Sequence, residues 1–398
     1  MKRCYLAKWL LPVDRPPIEN GLLTAVDQQI VAVGENLTGR PPIDLGEVAL
    51  APALINAHAH LEFSDIERPL GEAGMSFPAW IRQVVARRQS AGEALEAQKN
   101  EAAAQGLRES QAQGIAALGE ITTQPFSWEA YRTGPSVVSL LELIGLSPER
   151  SEELIAAAEA HLQNAKEQGM RGGLSPHAPY SVHRSVVAAA AKLSAATQTP
   201  LAMHLAESQE ELQLLDRQIG PFRDMLEAFG AWRSDAFRRG GRPLEYLRLI
   251  AEAHRALVIH GNYLDAAELD FVAERRATMT VVYCPRTHAY FEHARYPLPE
   301  LLRRNAAIAI GTDSRASNPD LAVWRDVRAA AAAFPEVAPD AFWPMVTQTP
   351  AAALGVDDRY GSLAVGKRAA LIQFRVGAGV SRDDLREALL EADPTPVE

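Results

Sequence analysis

The sequence predicts an α/β fold, a (β/α)8 barrel carrying a small β-sandwich domain formed by both chain termini. Three observations carry that expectation. Apolar runs of strand length recur along the middle of the chain with helical patterns between them, which implies βαβ units and a parallel sheet. Eight such runs fall within about 300 residues, the arithmetic of a closed barrel. No glycine-rich phosphate fingerprint supports the competing doubly wound sheet.

The opening segment MKRCYLAKWLLPVD starts basic and turns apolar, as a signal peptide does. Lys8 interrupts the run, Pro12 and Asp14 end it, and no small-residue cleavage site follows. Short β-like runs, Leu22–Val26 and Ile30–Val33, lie between Gly, Pro and Asn turns, and residues 361–376 (GSLAVGKRAALIQFRV) read as a turn followed by a strand. The expected division is a composite β-domain of residues 1–50 and 355–398 around a barrel of residues 51–354. The eight barrel runs are Ala49–Ala57, Ile115–Ile121, Ser136–Ile144, Gly172–Ser175, Pro200–Leu205, Ala256–His260, Met279–Tyr283 and Ile308–Gly311. Helices are expected over Ser151–Gln168, opened by Ser147 and Pro148, over Val182–Ala196, in pieces between Glu207 and His254, and over Asp320–Ala333. Phe229–Arg242 reads as a long loop.

Composition narrows the function. With 398 residues, 40 basic and 50 acidic side chains and a net charge of −10, the chain lacks the basic block that nucleic acid or an anionic membrane would require. The two cysteines, Cys4 and Cys284, cannot frame a set of disulfides. No apolar stretch approaches a membrane span. A soluble cytoplasmic chain with a small-molecule partner is the expectation.

The histidines share an address. His58, His60, His177, His204 and His260 sit at or just beyond the C-terminal ends of expected strands, and His288 lies shortly after the seventh. In a parallel barrel those ends gather on one face, where the strand-to-helix loops build the active site. In ALINAHAHLEFS, residues two apart on a strand point to one side, so His58 and His60 can both aim into the mouth. In PLAMHLAES, Glu207 follows His204 just past a strand end; it reads either as a proton shuttle or as an acid at a helix N-terminus. His260 ends the run ALVIH, with Gly261 allowing a sharp turn. Asp313 in AIAIGTDS reads alone as a ligand or as a helix N-cap. Taken jointly, several imidazoles and a carboxylate on one rim match a borderline divalent cation with an open position, zinc first and ferrous iron on the same ligands.

Those motifs, in that order, resemble the amidohydrolase superfamily: His-x-His after strand one, His-x-x-Glu after strand five, His-Gly after six and Gly-Thr-Asp-Ser after eight. More narrowly the chain resembles the aminohydrolase branch that holds methylthioadenosine/S-adenosylhomocysteine deaminases, aminodeoxyfutalosine deaminases, guanine deaminases and triazine hydrolases. The resemblance implies that His58, His60, His204 and Asp313 bind one metal ion. It implies that His260 orients the attacking water and that Glu207 moves a proton to a ring nitrogen; Asp313, beside that water, can accept its proton while remaining at the metal. His177, in SPHAPYS, matches a histidine that contacts sugar or ring. Binuclear barrels of this type carry a lysine at the end of strand four; GLSPHAPYS has none, hence a single ion. Where many relatives have Cys-Pro-x-Ser-Asn this chain has CPRTHAYF, and where they have Gly-Lys-x-Ala-Asp it has GKRAAL, with Ala370 at the last place.

The implied activity is hydrolytic deamination of an adenine-type nucleoside or related amino-heterocycle. A dechlorinase of triazines or a cyclic amide hydrolase would use the same site. Phe63, Phe77 and Trp80 offer aromatic faces for a flat ring, although Phe77 and Trp80 read equally as core of the following helix. Arg286 and His288 are candidate contacts to a sugar hydroxyl or a substrate carboxylate, with a solvated loop charge the alternative for Arg286. A homodimer is implied by the resemblance alone.

Overall fold

The computed structural model describes residues 2–90 and 92–397. Its first sheet forms from the N-terminus: β1 (Lys2–Leu10), β2 (Ile18–Val26), β3 (Gln29–Val33), β4 (Ile43–Asp44) and β5 (Val48–Pro52). The signal-like opening is thus a strand, pairing antiparallel with β2 from Lys2 opposite Val26 to Leu10 opposite Ile18. The C-terminal strands β14 (Leu371–Arg375) and β15 (Thr395–Pro396) complete it, with β14 antiparallel to β5. Its own core gathers Leu10, Leu23, Ile30, Leu50 and Leu363, all buried.

The second sheet is the barrel. It contains β6 (Leu54–Ala59), β7 (Ile115–Thr122), β8 (Ser136–Leu143), β9 (Arg171–Pro176), β10 (Pro200–Leu205), β11 (Arg255–His260), β12 (Met279–Tyr283) and β13 (Ala307–Ile310). Neighbours in sequence are neighbours in the sheet, and all seven pairings are parallel. Each expected run contributes a strand, with one correction. The run Ala49–Ala57 is two strands, β5 and β6, in different sheets. Pro52, which lacks an N–H, ends β5, and the Ala53 N–H turns away to the Ala370 carbonyl at 2.9 Å. One apolar run therefore serves both sheets.

The barrel closes between its first and last strands by a bridge of Ala59 to Asp313 and by the amides of Thr312 and Asp313, which both donate to the His58 carbonyl at 3.1 and 3.0 Å. Gly311 is required there: a Cβ on it would stand 2.8 Å from the His58 Cβ. Inside, Ile55, Leu140, Leu257, Ile259 and Val282 pack with Ala351 and Leu354 of the helix Gln348–Leu354, which plugs the base. Helices Ser151–Glu167, Arg184–Thr197 and Val323–Ala333 match their expected segments. Phe229–Arg242 is a loop interrupted by one short turn, Ser234–Ala236. Among the described residues no helix is long and apolar enough to cross a membrane.

Candidate active site and metal centre

The seam that closes the barrel also builds half of the site. Asn56 holds it: its Oδ1 accepts from the Thr312 amide at 3.1 Å, and its Nδ2 donates to Thr312 Oγ1 at 2.7 Å. His58 and His60 then both face Asp313, with each Nε2 at 3.5 Å from Oδ1. Asp313 caps no helix, since the next one opens at Val323, and its Oδ2 accepts from Ser317 Oγ at 3.0 Å.

The other half comes from β10 and β11, whose register sets Leu205 opposite His260 and so brings the two strand ends side by side. His204 Nδ1 lies 3.2 Å from the His177 carbonyl; as its donor, that nitrogen fixes the tautomer and leaves Nε2 free for the cluster. His260 Nε2 stands 3.2 Å from Glu207 Oε1. Glu207 precedes Ser208, the N-cap of helix Gln209–Arg217, so it lies outside the helix and is no first-turn acid. His260, the last residue of β11, and Asp313, three residues past the end of β13, both lie in the left-handed region, at φ 68° and 59°. That conformation costs an L-residue on the order of 1–3 kcal/mol and concentrates at functional sites.

These side chains form two triads sharing His58: His58 with His204 and His260, and His58 with His60 and Asp313. Within each, the potential ligand atoms lie within 4.8 Å of one another. All five residues are buried. Both ring nitrogens of His58 and Nδ1 of His60 have no hydrogen-bond partner. Buried unpaired polar atoms are costly, and a divalent ion is the partner that this donor set fits. The electrostatics agree. Burial pushes His260 down to about 3 and, with neighbouring imidazoles, holds His60 and His204 well below the ordinary histidine range, the neutral form that ligates. Burial alone would raise Asp313, but the imidazoles of His58, His60 and His260 outweigh it and keep the carboxylate ionised. Glu207 goes the other way: burial, then the charges of Asp313 and Glu211, lift it far above an ordinary carboxyl.

A cavity of about 480 Å³ opens onto this cluster. Phe63, Phe77, Trp80 and His177 line it, as do His60, His204, Glu207, His260 and Asp313. Trp80 is wall and core at once: its ring stacks on Phe77 at 5.6 Å and its Nε1 donates to the Ala316 carbonyl at 3.1 Å. Two expected contacts lie elsewhere. Arg286 is neither a cavity residue nor a solvated charge; its guanidinium pairs with Asp320 and Asp326, both at 2.8 Å, and Asp326 is fully buried. His288 packs behind the wall against His293 and Tyr296, with ring centroids 5.5 and 5.7 Å away. The short helix Pro285–Tyr290 carries both residues and turns them from the mouth.

The cavity also holds residues that the sequence reading missed. Glu142 lines it, 3.7 Å from both Arg88 Nη2 and His177 Nε2. A lone carboxylate inside the apolar run Ser136–Ile144 was the available signal. Arg88, bound to Glu62 at 2.5 Å, gave none, being an ordinary helix residue by spacing. Phe229 and Arg233 bring the long loop into the wall.

Comparison with known proteins points the same way. The model of the amidohydrolase family matches residues 49–384. The chain is 28% identical over 310 residues to the aminodeoxyfutalosine deaminase of Deinococcus radiodurans, covering 73% of this chain and 69% of that protein. It is 25% identical over 361 residues to a 5-methylthioadenosine/S-adenosylhomocysteine deaminase of Halobacterium salinarum, covering 86% and 77%. Among solved structures, Helicobacter pylori aminofutalosine deaminase in complex with methylthio-coformycin superposes with a TM-score of 0.85 at 20% identity, covering 99% of this chain and 97% of that one. The chain belongs to the amidohydrolase family and is a hydrolase of carbon–nitrogen bonds.

Proposed function

We propose that this chain is a mononuclear metal-dependent aminohydrolase that deaminates an adenine-type nucleoside or related amino-heterocycle, releasing ammonia. Aminodeoxyfutalosine-like and methylthioadenosine-like compounds are the first candidates, in line with the names of its relatives. One observation carries the reading: a buried Glu207, its carboxyl pushed well above the ordinary range by burial, stands at the cavity wall, 3.2 Å from His260 and beside a cluster fit for one ion.

His58, His60, His204 and Asp313 would hold the ion, zinc in preference to ferrous iron; His260 shares a triad with two of them and is placed to ligate as well as to orient. When bound there, a divalent cation would lower the pKa of a water to about 7 and so supply the nucleophile at neutral pH. His260 Nε2 orients that water, and the ionised Asp313 carboxylate accepts its proton. Glu207 donates to the ring nitrogen next to the carbon under attack, which quenches the charge that builds as aromaticity is lost. The new C–O bond forms, the exocyclic C–N bond breaks, and the amine leaves with a proton as ammonia. Phe63 and Trp80 supply faces for the ring, and His177 lies on the adjoining wall.

The test is ammonia release from a panel of methylthioadenosine, adenosine, guanine and aminodeoxyfutalosine, by wild type and Glu207→Gln at equal zinc content. Turnover of one panel member, lowered about 10²- to 10⁴-fold by the substitution, is expected. Chloride release from a chlorotriazine, or ring opening of a cyclic amide with no ammonia from the panel, would replace this reading.

A further inference from the structure

Glu207 is held by its backbone on both sides. Glu211 is fully buried, and its two carboxylate oxygens accept from consecutive amides: Oε1 from Ala206 at 2.9 Å and Oε2 from Glu207 at 3.0 Å. Asn262, on the turn after β11, donates from Nδ2 to the Glu207 carbonyl at 2.8 Å. The Tyr263 amide donates to the Ala206 carbonyl at 3.1 Å. Ala206 sits at φ 54°, a conformation that an alanine keeps only when its surroundings impose it.

Ordinary helix capping does not account for these bonds. Glu211 occupies the third position of the helix capped by Ser208, where a glutamate normally reaches back to the cap residue's own amide. This chain contains that arrangement elsewhere: Glu268 Oε2 accepts from the Asp265 amide at 2.9 Å. Glu211 instead reaches past Ser208 to the two residues before it. Here each of the two adjacent N–H groups takes its own oxygen, an arrangement that a carboxylate allows and an amide side chain, with one oxygen, cannot reproduce.

We propose that Glu211 and Asn262 form a clamp on the Glu207 peptide, and that Glu211 is a positioning residue for proton transfer by Glu207. The clamp rests on the proposed shuttle role of Glu207. Because Asn262 lies two residues after His260, the clamp also ties the β10 end to the β11 end and preserves the contact between Glu207 and His260.

The experiment compares zinc-loaded wild type, Glu211→Gln, Asn262→Ala, Glu207→Gln and the double variant Glu207→Gln/Glu211→Gln. Readouts are steady-state kinetics on methylthioadenosine and amide hydrogen exchange of the intact protein by mass spectrometry. Glu211→Gln is expected to lower kcat about 10- to 100-fold with KM little changed and zinc content kept, the size of effect that a misplacement of about 1 Å produces. Asn262→Ala is expected to act in the same direction and less. In the Glu207→Gln background the second substitution should cost nothing further, since a positioning residue acts only through what it positions. Amide exchange should accelerate at residues 206–207 in Glu211→Gln and stay unchanged in the barrel strands. A folded, zinc-loaded Glu211→Gln with full kcat or unchanged exchange at those amides overturns the clamp, as does a loss that multiplies onto Glu207→Gln. Should Glu211→Gln not fold, an unaltered kcat in Asn262→Ala overturns it equally. A fully active Glu207→Gln removes the shuttle reading and the clamp with it, whereas an inactive Glu207→Gln beside a fully active Glu211→Gln removes the clamp alone. Without turnover of the probe, the exchange result decides.

Discussion

The barrel has a cavity at each end, and volume does not distinguish them. The mouth holds about 480 Å³ and the base, beside the starts of β9 and β10, about 580 Å³. Charged residues border both. At the base they face solvent: the Arg171 side chain, more than a third exposed, grips both oxygens of Asp358, itself exposed, at 2.9 Å. At the mouth the groups of the ion cluster are buried, ring nitrogens of His58 and His60 lack a partner, and proton affinities are driven apart, with Asp313 held below and Glu207 raised well above the ordinary carboxyl range. Convergence of unsatisfied buried groups, rather than space, marks a reactive site. The C-terminal ends of the strands create it, because there alone every strand can contribute a side chain on a loop free to vary.

That contrast can be broken or sharpened by substitution. The largest effect is expected from His58→Ala, which removes the residue common to both triads: zinc content by elemental analysis should fall and turnover should drop to background. Retained zinc with full turnover would dissolve the distinction between the two ends. Next comes Arg286→Leu, which leaves Asp326 buried without its partner. It should lower unfolding free energy by about 3–5 kcal/mol in a denaturant titration, while KM in the surviving folded fraction stays constant. A selective rise in KM would return Arg286 to the substrate site. Trp80→Ala should raise KM about tenfold with a smaller change in kcat, in keeping with a stacking face worth about 0.5–1.5 kcal/mol beyond its area. An unaltered KM would confine Trp80 to the core. The smallest effect belongs to the base: Arg171→Ala should shift stability by no more than about 1 kcal/mol and leave kcat/KM untouched. A change in kcat/KM there would show that the base cavity matters after all.

The sequence disclosed strands more readily than walls. A barrel strand is buried on both faces, so it appears as a continuous apolar run, and residues such as His204 and His260 stand out at its end. Asp313 and Glu207 were visible for the same reason. Glu142 was partly visible as a carboxylate in such a run. Arg88 and Phe229 were invisible, because on a helix or a loop their spacing matches that of any surface residue. Arg286 and His288 misled. Both follow β12 closely in sequence, but the Pro285–Tyr290 helix and the acids Asp320 and Asp326 aim them away from the cavity.

By itself the chain determined which residue types meet the strand ends, the alternation that closes a barrel, and the set of imidazoles and carboxylates available for an ion. Those are local properties of period and placement. The tertiary structure alone decided which side chains share the cavity and which are spent in ion pairs such as that of Arg286. It also decided that the Asp313 carboxyl is held below its ordinary range and that of Glu207 raised well above it. The physical reason is that partnership and burial depend on contacts between residues hundreds of positions apart, as between His58 and Asp313, and no local pattern encodes their distance.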